Sequence, residues 1–356
     1  MLVNGIDQQL AQTVRDASAK KTPLRIVGGG SKDFYGSPAT GEILSTTAYR
    51  GIIDYEPTEL VITARAGTPL VELEAAMKEK GQMLAFEPPH FAEGSTLGGC
   101  IAAGLSGPRR AYAGAVRDLV LGVRMLDGNG ADLRFGGQVM KNVAGFDVSR
   151  LMAGSMGTLG VILEVSLKTL PLPAVEATLL LHGDEPTAIK WFNEWAGTPL
   201  PISATAWRAG DIGVRLSGAR AAVDAAIKQL GGALVEPDQA NNFWRGIRDH
   251  ADAFFSSATP LWRLSIKSTT PPLALPGGQL IEWSGALRWL KSDAPASLIR
   301  EAAAGAGGHA TLFRATDISA GAFHSLSPAL ARLHQNLKQK FDPAGILNRG
   351  RLYSDL

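Results

Sequence analysis

The sequence predicts an α+β protein in two parts, closed by a C-terminal segment. Three observations carry that reading. Glycine-dense turns at 28–30, 98–99 and 154–160 punctuate short β-branched runs in the first half. Pro171-Leu172-Pro173 then breaks the pattern, as an exposed linker does. Beyond it, strand-like and helix-like runs alternate, and all seven tryptophans fall there. Such alternation suits an α+β domain with antiparallel sheet. The expected parts are residues 1–173, 174–327 and 328–356.

In order, residues 7–20 read as a helix with Leu10 and Val14 on one face, stopped by Thr22-Pro23. Leu24–Val27, Ile43-Leu44, Gly51–Tyr55 and Leu60–Ala66 read as strands. A helix follows with Thr68 as N-cap, Pro69 in its first turn and Gly81 at its end. A strand is expected over Ala115–Leu126, paired through the turn Asp127–Gly130 with Ala131–Phe135. Lys141–Asp147 reads as loop, with Asp147 capping a short helix through Met152, and Val161–Leu170 as a strand. In the second part, helices are expected around Ile189–Trp195, at Arg220–Leu230, near Asn242–His250 and at Pro295–Ala304. Strands are expected at Ala177–Leu181, Ile202–Arg208, Ile212–Leu216, Leu261–Lys267, Gln279–Trp283 and His309–Phe313. The tryptophans read chiefly as core and interface anchors. The tail opens with a helix, Pro328–Lys340, and Ile346-Leu347 buries the turn after it.

Composition excludes several classes. With 356 residues there is ample core, and a net charge of +2 gives no reason to expect a nucleic-acid partner. The single cysteine, Cys100, rules out a disulfide framework, a zinc–thiolate site or an iron–sulfur cluster of the chain's own. Asp7 and Asp16 argue against a signal peptide, and no apolar run reaches 18 residues. A cytoplasmic protein is expected, without a metal site.

Two stretches point to chemistry. Gly28, Gly29 and Gly30 follow a strand and precede Ser31, so their bare N–H groups can converge on an anion. Neither the dinucleotide fingerprint nor a P-loop is present, because Asp33 stands where a third glycine is needed and no Gly-Lys-Ser/Thr closes the loop. A plain surface turn is the alternative. Around Pro88, the segment Glu87–Gly104 opens on Ser95 and Thr96 and continues almost wholly in small residues, including Gly98 and Gly99. It reads either as a second phosphate-binding turn or as tight helix packing. Arg109, Arg110 and Arg288 are candidates to grip a carboxylate, or are ordinary surface arginines; His90 reads equally as a cofactor contact or a packed histidine.

Together, Ile26–Ser31, Ser95–Gly99, Gly157–Ile162 and the closing Asp342-Pro343 with Asn348 to Arg351 resemble the FAD-binding family typified by vanillyl-alcohol oxidase and p-cresol methylhydroxylase. A closer resemblance, through Asp54–Arg65, Arg134–Gly145 and Gly285–Ser292, is to the FAD-binding E subunits of bacterial glycolate oxidases. The resemblance implies a two-part FAD-binding domain with an α+β cap. It implies a complex with a sister FAD subunit and an iron–sulfur subunit, oxidising glycolate to glyoxylate and passing electrons to quinone. Membrane contact is then only indirect, through partners. It also implies that Gly28, Gly29, Gly30, Ser31, Ser95, Thr96, Gly98 and Gly99 hold the FAD pyrophosphate, with Pro88 shaping the approach. Ile162 falls at the adenine end and Asn348 near the isoalloxazine. Covalent members attach flavin through histidine or cysteine; Ser31 stands in this loop, so FAD is expected to be non-covalent.

The chain departs from the resembled pattern in three places. Arg349 replaces a proline and Met156 a glutamate. Where soluble 2-hydroxyacid dehydrogenases carry H-G-D-G-N-x-H, this chain has only Gly307-Gly308-His309-Ala310, and no catalytic base can be named. His309 reads as structural. A non-catalytic scaffold or relay flavoprotein, and a self-sufficient 2-hydroxyacid oxidase, therefore remain as alternatives.

Overall fold

The computed structural model describes residues 5–137 and 147–356. The loop expected from Lys141 to Phe146, and the resembling stretch from Gln138 to Gly145, lie outside the described residues. The chain divides into two compact units. Met1–Leu105, Ala115–Pro171 and Ser325–Leu356 form unit 1; Ser106–Gly114 and Leu172–His324 form unit 2.

Unit 1 grows from helix Ile6–Lys20, which buries Leu10, Ala11, Val14 and Ala17 on one face. That face meets Leu24, Leu44, Leu126, Val161, Leu163, Ile346 and Leu347 in one core. Each fully buried aliphatic side chain there stabilises by about 1.5–3 kcal/mol. Strands Leu24–Val27 and Glu42–Ser45 pair in parallel. Beside them an antiparallel sheet runs in the order Ile52–Glu56, Val61–Arg65, Val161–Lys168, Val120–Leu126, Asp132–Gly136.

The C-terminal segment is stitched onto this frame. After helix Pro328–Phe341, Leu24 N–H donates to Ile346 O at 2.7 Å and Asn348 N–H to Leu24 O at 3.0 Å. Asp342, 1% exposed, holds the turn: its carboxylate accepts from Ile346 N at 3.1 Å and Leu347 N at 2.8 Å. Lys338 Nζ lies 2.8 Å from the same carboxylate and donates to Thr158 O and Leu347 O at 2.9 and 2.7 Å.

Unit 2 is built on an eight-stranded antiparallel sheet. Its order is Ala233–Val235, Val175–His182, Asp211–Gly218, Ile202–Arg208, Gly278–Glu282, Leu287–Lys291, Leu261–Ser265, His309–Arg314. Helices Glu185–Ala196 and Arg220–Leu230 pack around Leu179, Ile212, Val214 and Leu216. Helix Ala296–Gly305 covers a second cluster around Trp262, Leu264 and Leu312. Trp244, Trp262, Trp283 and Trp289 are buried, as the anchor reading expects.

Two local expectations are corrected, and one strand was not foreseen. Thr68 does not cap its helix, because its hydroxyl accepts from Gly51 N at 2.9 Å and donates to Arg65 O at 2.7 Å; Pro69 is the N-cap residue instead. The strand expected from Ala115 begins only at Val120, since Asp118 accepts from Ala115 N at 2.8 Å and closes a helical turn over Val116–Leu119. Strand Leu287–Lys291 was hidden by Arg288, which breaks any apolar alternation yet is 0% exposed.

Two predictions follow from these buried polar groups. Asp342→Ala strands Lys338 and two backbone N–H groups; breaking such a buried pair costs about 3–5 kcal/mol, to be read by urea unfolding. His250 stacks on Phe255 at 3.8 Å between centroids, with Trp289 and Phe313 edge-on or tilted nearby. Burial, then the charges of Arg314 and Arg263, hold its imidazole well below the ordinary value of 6.5. The unfolded chain therefore takes up a proton below that value which the native state refuses. Stability should fall as pH drops from 6.5 toward the depressed native value, by up to about 1.4 kcal/mol per pH unit. His250→Asn, which tolerates the positive φ of 56° there, should lower stability at neutral pH and flatten this slope.

Candidate cofactor site

The first strand of unit 1 delivers its glycine loop to the wall of an open cleft. Gly28, Gly29, Gly30, Ser31, Thr96, Gly98, Gly99, Ile162 and Asn348, widely separated in sequence, all line it. Two of these glycines are required by close approach. A Cβ on Gly29 would lie 1.7 Å from Gly94 O, and one on Gly28 2.5 Å from Thr96 Oγ1. The two loops can close on each other only without side chains. Thr96 caps helix Leu97–Ala103 by accepting from Gly99 N at 3.3 Å. Gly98 also serves the packing reading, since a Cβ there would meet Ala66 at 2.7 Å.

Ser95 and Pro88 do not line the cleft. Ser95 stands behind its wall, with its hydroxyl 2.6 Å from Ser31 Oγ and also bonded to His90 O. Pro88 is buried. His90 is likewise outside the lining and lies 3.2 Å from Glu74. Burial pushes the Cys100 thiol up to about 12, so it stays protonated and unreactive.

Asn348 ties the cleft together. Its Oδ1 accepts from Ile26 N at 2.7 Å and its Nδ2 donates to Met156 O at 2.6 Å. Both Asn348 and Met156 have positive φ, 41° and 53°, a conformation that non-glycine residues adopt where surroundings impose it.

Sequence reasoning missed the charged part of the wall: Arg25, Lys32, Asp33 and Arg351. Lys32 is 8% exposed, and its Nζ stands 3.3 and 3.2 Å from the hydroxyls of Ser31 and Ser95. Arg25 pairs with Asp33 at 2.7 Å. Arg351 donates to the carbonyls of Ser37, Lys32 and Asp33 at 2.9, 3.2 and 3.1 Å. Only tertiary closeness gives these residues a common wall, although Lys32 directly follows the glycine loop. Glycine backbone, hydroxyls and an excess of cations over acids form a donor set that fits a diphosphate.

The arginines singled out in the sequence are engaged with the chain itself, Arg110 by stacking 4.3 Å from the centroid of the Trp283 ring. Arg109 pairs with Glu176 at 2.6 Å and donates to Ser217 at 3.2 Å. Arg288 donates to the carbonyls of Thr270, Pro271 and Gly285 and lies 3.3 Å from Glu185. His309 opens its strand opposite Ser265.

Residues 6–136 match the family model described as an FAD binding domain. The sequence is 50% identical, over 349 residues and 98% of each chain, to the glycolate oxidase subunit GlcE of Escherichia coli (strain K12). The chain belongs to the GlcE family. Glycolate oxidase subunit GlcD of Bacillus subtilis (strain 168) is more distant, at 31% identity over 48% of this chain and 37% of its own length. Among solved structures, p-cresol methylhydroxylase superposes with a TM-score of 0.69 at 14% identity, covering 98% of this chain and 87% of that one. Alkyldihydroxyacetonephosphate synthase reaches 0.66 at 15% identity, covering 96% and 74%. At such identities the likeness establishes the fold, which is the FAD-binding type expected for the GlcE family. The family's cofactor is FAD, and the cleft's donor set fits it.

Asn348→Ala leaves Ile26 N–H and Met156 O without their partner. Each buried group so stranded costs about 1–3 kcal/mol, so thermal stability should drop and FAD affinity with it, both measurable by flavin-fluorescence titration and melting.

Proposed function

We propose that this chain is the FAD-binding subunit of a glycolate oxidase, acting in a complex with a sister flavin subunit and an iron–sulfur subunit. In this reading the complex oxidises glycolate to glyoxylate, and electrons leave through the iron–sulfur partner to quinone. The observation that carries the reading is the convergence of four distant segments on one cleft in a chain of the GlcE family.

Gly28–Ser31, Thr96, Gly98 and Gly99 are assigned to the pyrophosphate, with the Lys32 charge beside them. Ser95 acts from behind by fixing Ser31 and Lys32, and Pro88 by shaping the turn that leads to it. Ile162 is assigned to the adenine end and Asn348 to the flavin-ring end. Bound FAD supplies the acceptor for the hydride of the C2–H bond; the protein supplies binding, orientation and electrostatics. Among the described residues no helix is long and apolar enough to cross a membrane. In this reading the subunit works in the cytoplasm and reaches the membrane surface through its partners.

A second reading is favoured by one specific feature. His309 follows Gly307-Gly308 without the second histidine of the H-G-D-G-N-x-H pattern. In that case this flavin relays electrons or props the fold while a sister subunit holds substrate.

The purified chain should carry flavin that heat denaturation releases intact, because attachment is non-covalent. Anaerobic glycolate should bleach it in a single turnover. Protein that neither carries FAD nor is stabilised by adding it removes the proposal, whereas bound flavin that glycolate leaves oxidised selects the relay reading.

A further inference from the structure

We propose that Arg25 and Asp33 read the junction between a phosphate and its neighbouring sugar in the dinucleotide, Arg25 on a phosphate oxygen and Asp33 on a sugar hydroxyl; the assignment rests on the FAD reading above. Both residues line the cleft, and both belong to unit 1. Arg25 Nη2 lies 2.7 Å from Asp33 Oδ2. The strand that leads into the glycine loop brings Arg25, and the turn that closes the loop brings Asp33, whose N–H donates to Gly30 O at 3.1 Å. The carboxylate thereby stands against the loop, with Oδ2 3.7 Å from the place a Cβ on Gly30 would occupy. Arg351 holds the turn from the other side, by donating to Lys32 O at 3.2 Å and Asp33 O at 3.1 Å.

Asp33 is the one feature of this wall that a diphosphate does not explain. Phosphate oxygens accept hydrogen bonds, and an ionised carboxylate also only accepts. Asp33 therefore repels the group that the glycine loop attracts. What complements a carboxylate is a donor. In FAD the diphosphate is flanked on one side by the ribose of adenosine and on the other by the ribityl chain, and both carry hydroxyl groups.

The free edges of the pair match such a junction. Among the described residues, Arg25 is the only hydrogen-bond donor to the Asp33 carboxylate, and its bond goes to Oδ2, so Oδ1 is left to accept. By the same count Arg25 keeps Nε and Nη1 to donate. The side chains are 37% and 49% exposed, which leaves both edges within reach of a ligand. A donor beside an acceptor fits a phosphate oxygen beside a hydroxyl, a combination that inorganic diphosphate lacks. Exposed ion pairs contribute little net stability, so either residue can be replaced without loss of the fold.

The test uses the full chain stripped of FAD and three ligands titrated by flavin fluorescence. These are FAD, FAD built on 2′,3′-dideoxyadenosine, and FAD with an unhydroxylated alkyl chain in place of ribityl. The wild type should bind one of the two analogues about 10- to 100-fold more weakly than FAD, as expected for the loss of a hydrogen bond to a charged group. The analogue that suffers names the sugar that Asp33 contacts. Asp33→Ala should bind that analogue and FAD alike, and Arg25→Met should weaken all three ligands by a similar factor. Both variants should melt at the wild-type temperature. A wild-type chain that holds both analogues as tightly as FAD overturns the proposal. So does a preference that survives in Asp33→Ala, which gives the hydroxyl to another group. Unchanged affinities in Arg25→Met also overturn it, because the pair is then only a clip on the glycine loop. The FAD reading fails separately, in a wild-type chain that takes up no FAD at all.

Discussion

The side chain of Asn348 is the constraint on which the cofactor cleft depends. One amide bonds the backbone of the first strand at Ile26 and the turn at Met156, and it arrives from the last nine residues of the chain. The tail also bonds the first strand through Leu24, and Lys338 bridges Thr158 O to Leu347 O. An amide suits this task because it carries both a donor and an acceptor at one carbon, and asparagine tolerates the left-handed backbone that aims it. The position of Asn348 is in turn set by Asp342 and Lys338, whose mutual bonds fix the turn at 342–347. The cleft is thus closed by a chain of polar contacts from the tail inward.

Both units use buried charge in the same way. Lys338 in unit 1 and Arg288 in unit 2 each join carbonyl oxygens from separate segments and pair with one carboxylate. Burial lowers the proton affinity of both, and the neighbouring carboxylate opposes that effect. Such pairs contribute little net stability compared with an apolar replacement of the same shape. What they do impose is direction: a carbonyl must point at the cation, so the loops that supply those carbonyls have few alternative conformations.

Much of this was legible in the sequence, and what was not has a physical reason. Glycine loops declare themselves because only glycine permits both the backbone angles and the close approach seen at Gly28 and Gly29. Caps at Thr96 and Asp147 are local devices, decided within three residues, and both form. Thr68 looks identical in sequence, yet Gly51 N–H, just before a neighbouring strand, takes its hydroxyl. Strand Leu287–Lys291 is buried along most of its length, arginine included, so it shows no alternation to read. Lys32, Arg25 and Arg351 share a wall only after folding. Loops have no period from which the direction of a side chain could be inferred.

The two units also differ in what their chemistry can distinguish. A cradle built from backbone N–H groups and glycine recognises charge and curvature, which every molecule bearing the same diphosphate shares. It can hold a cofactor tightly while remaining indifferent to the reaction. Discrimination among hydroxy acids requires groups whose number and spacing match a particular substrate. In the described residues of unit 1 the cleft's cations sit beside the glycine loop or bond backbone carbonyls. Lys32 and Arg351 are committed to shaping that loop. In unit 2 the guanidinium groups of Arg110 and Arg263 stack instead on the Trp283 ring at a tip of positive φ.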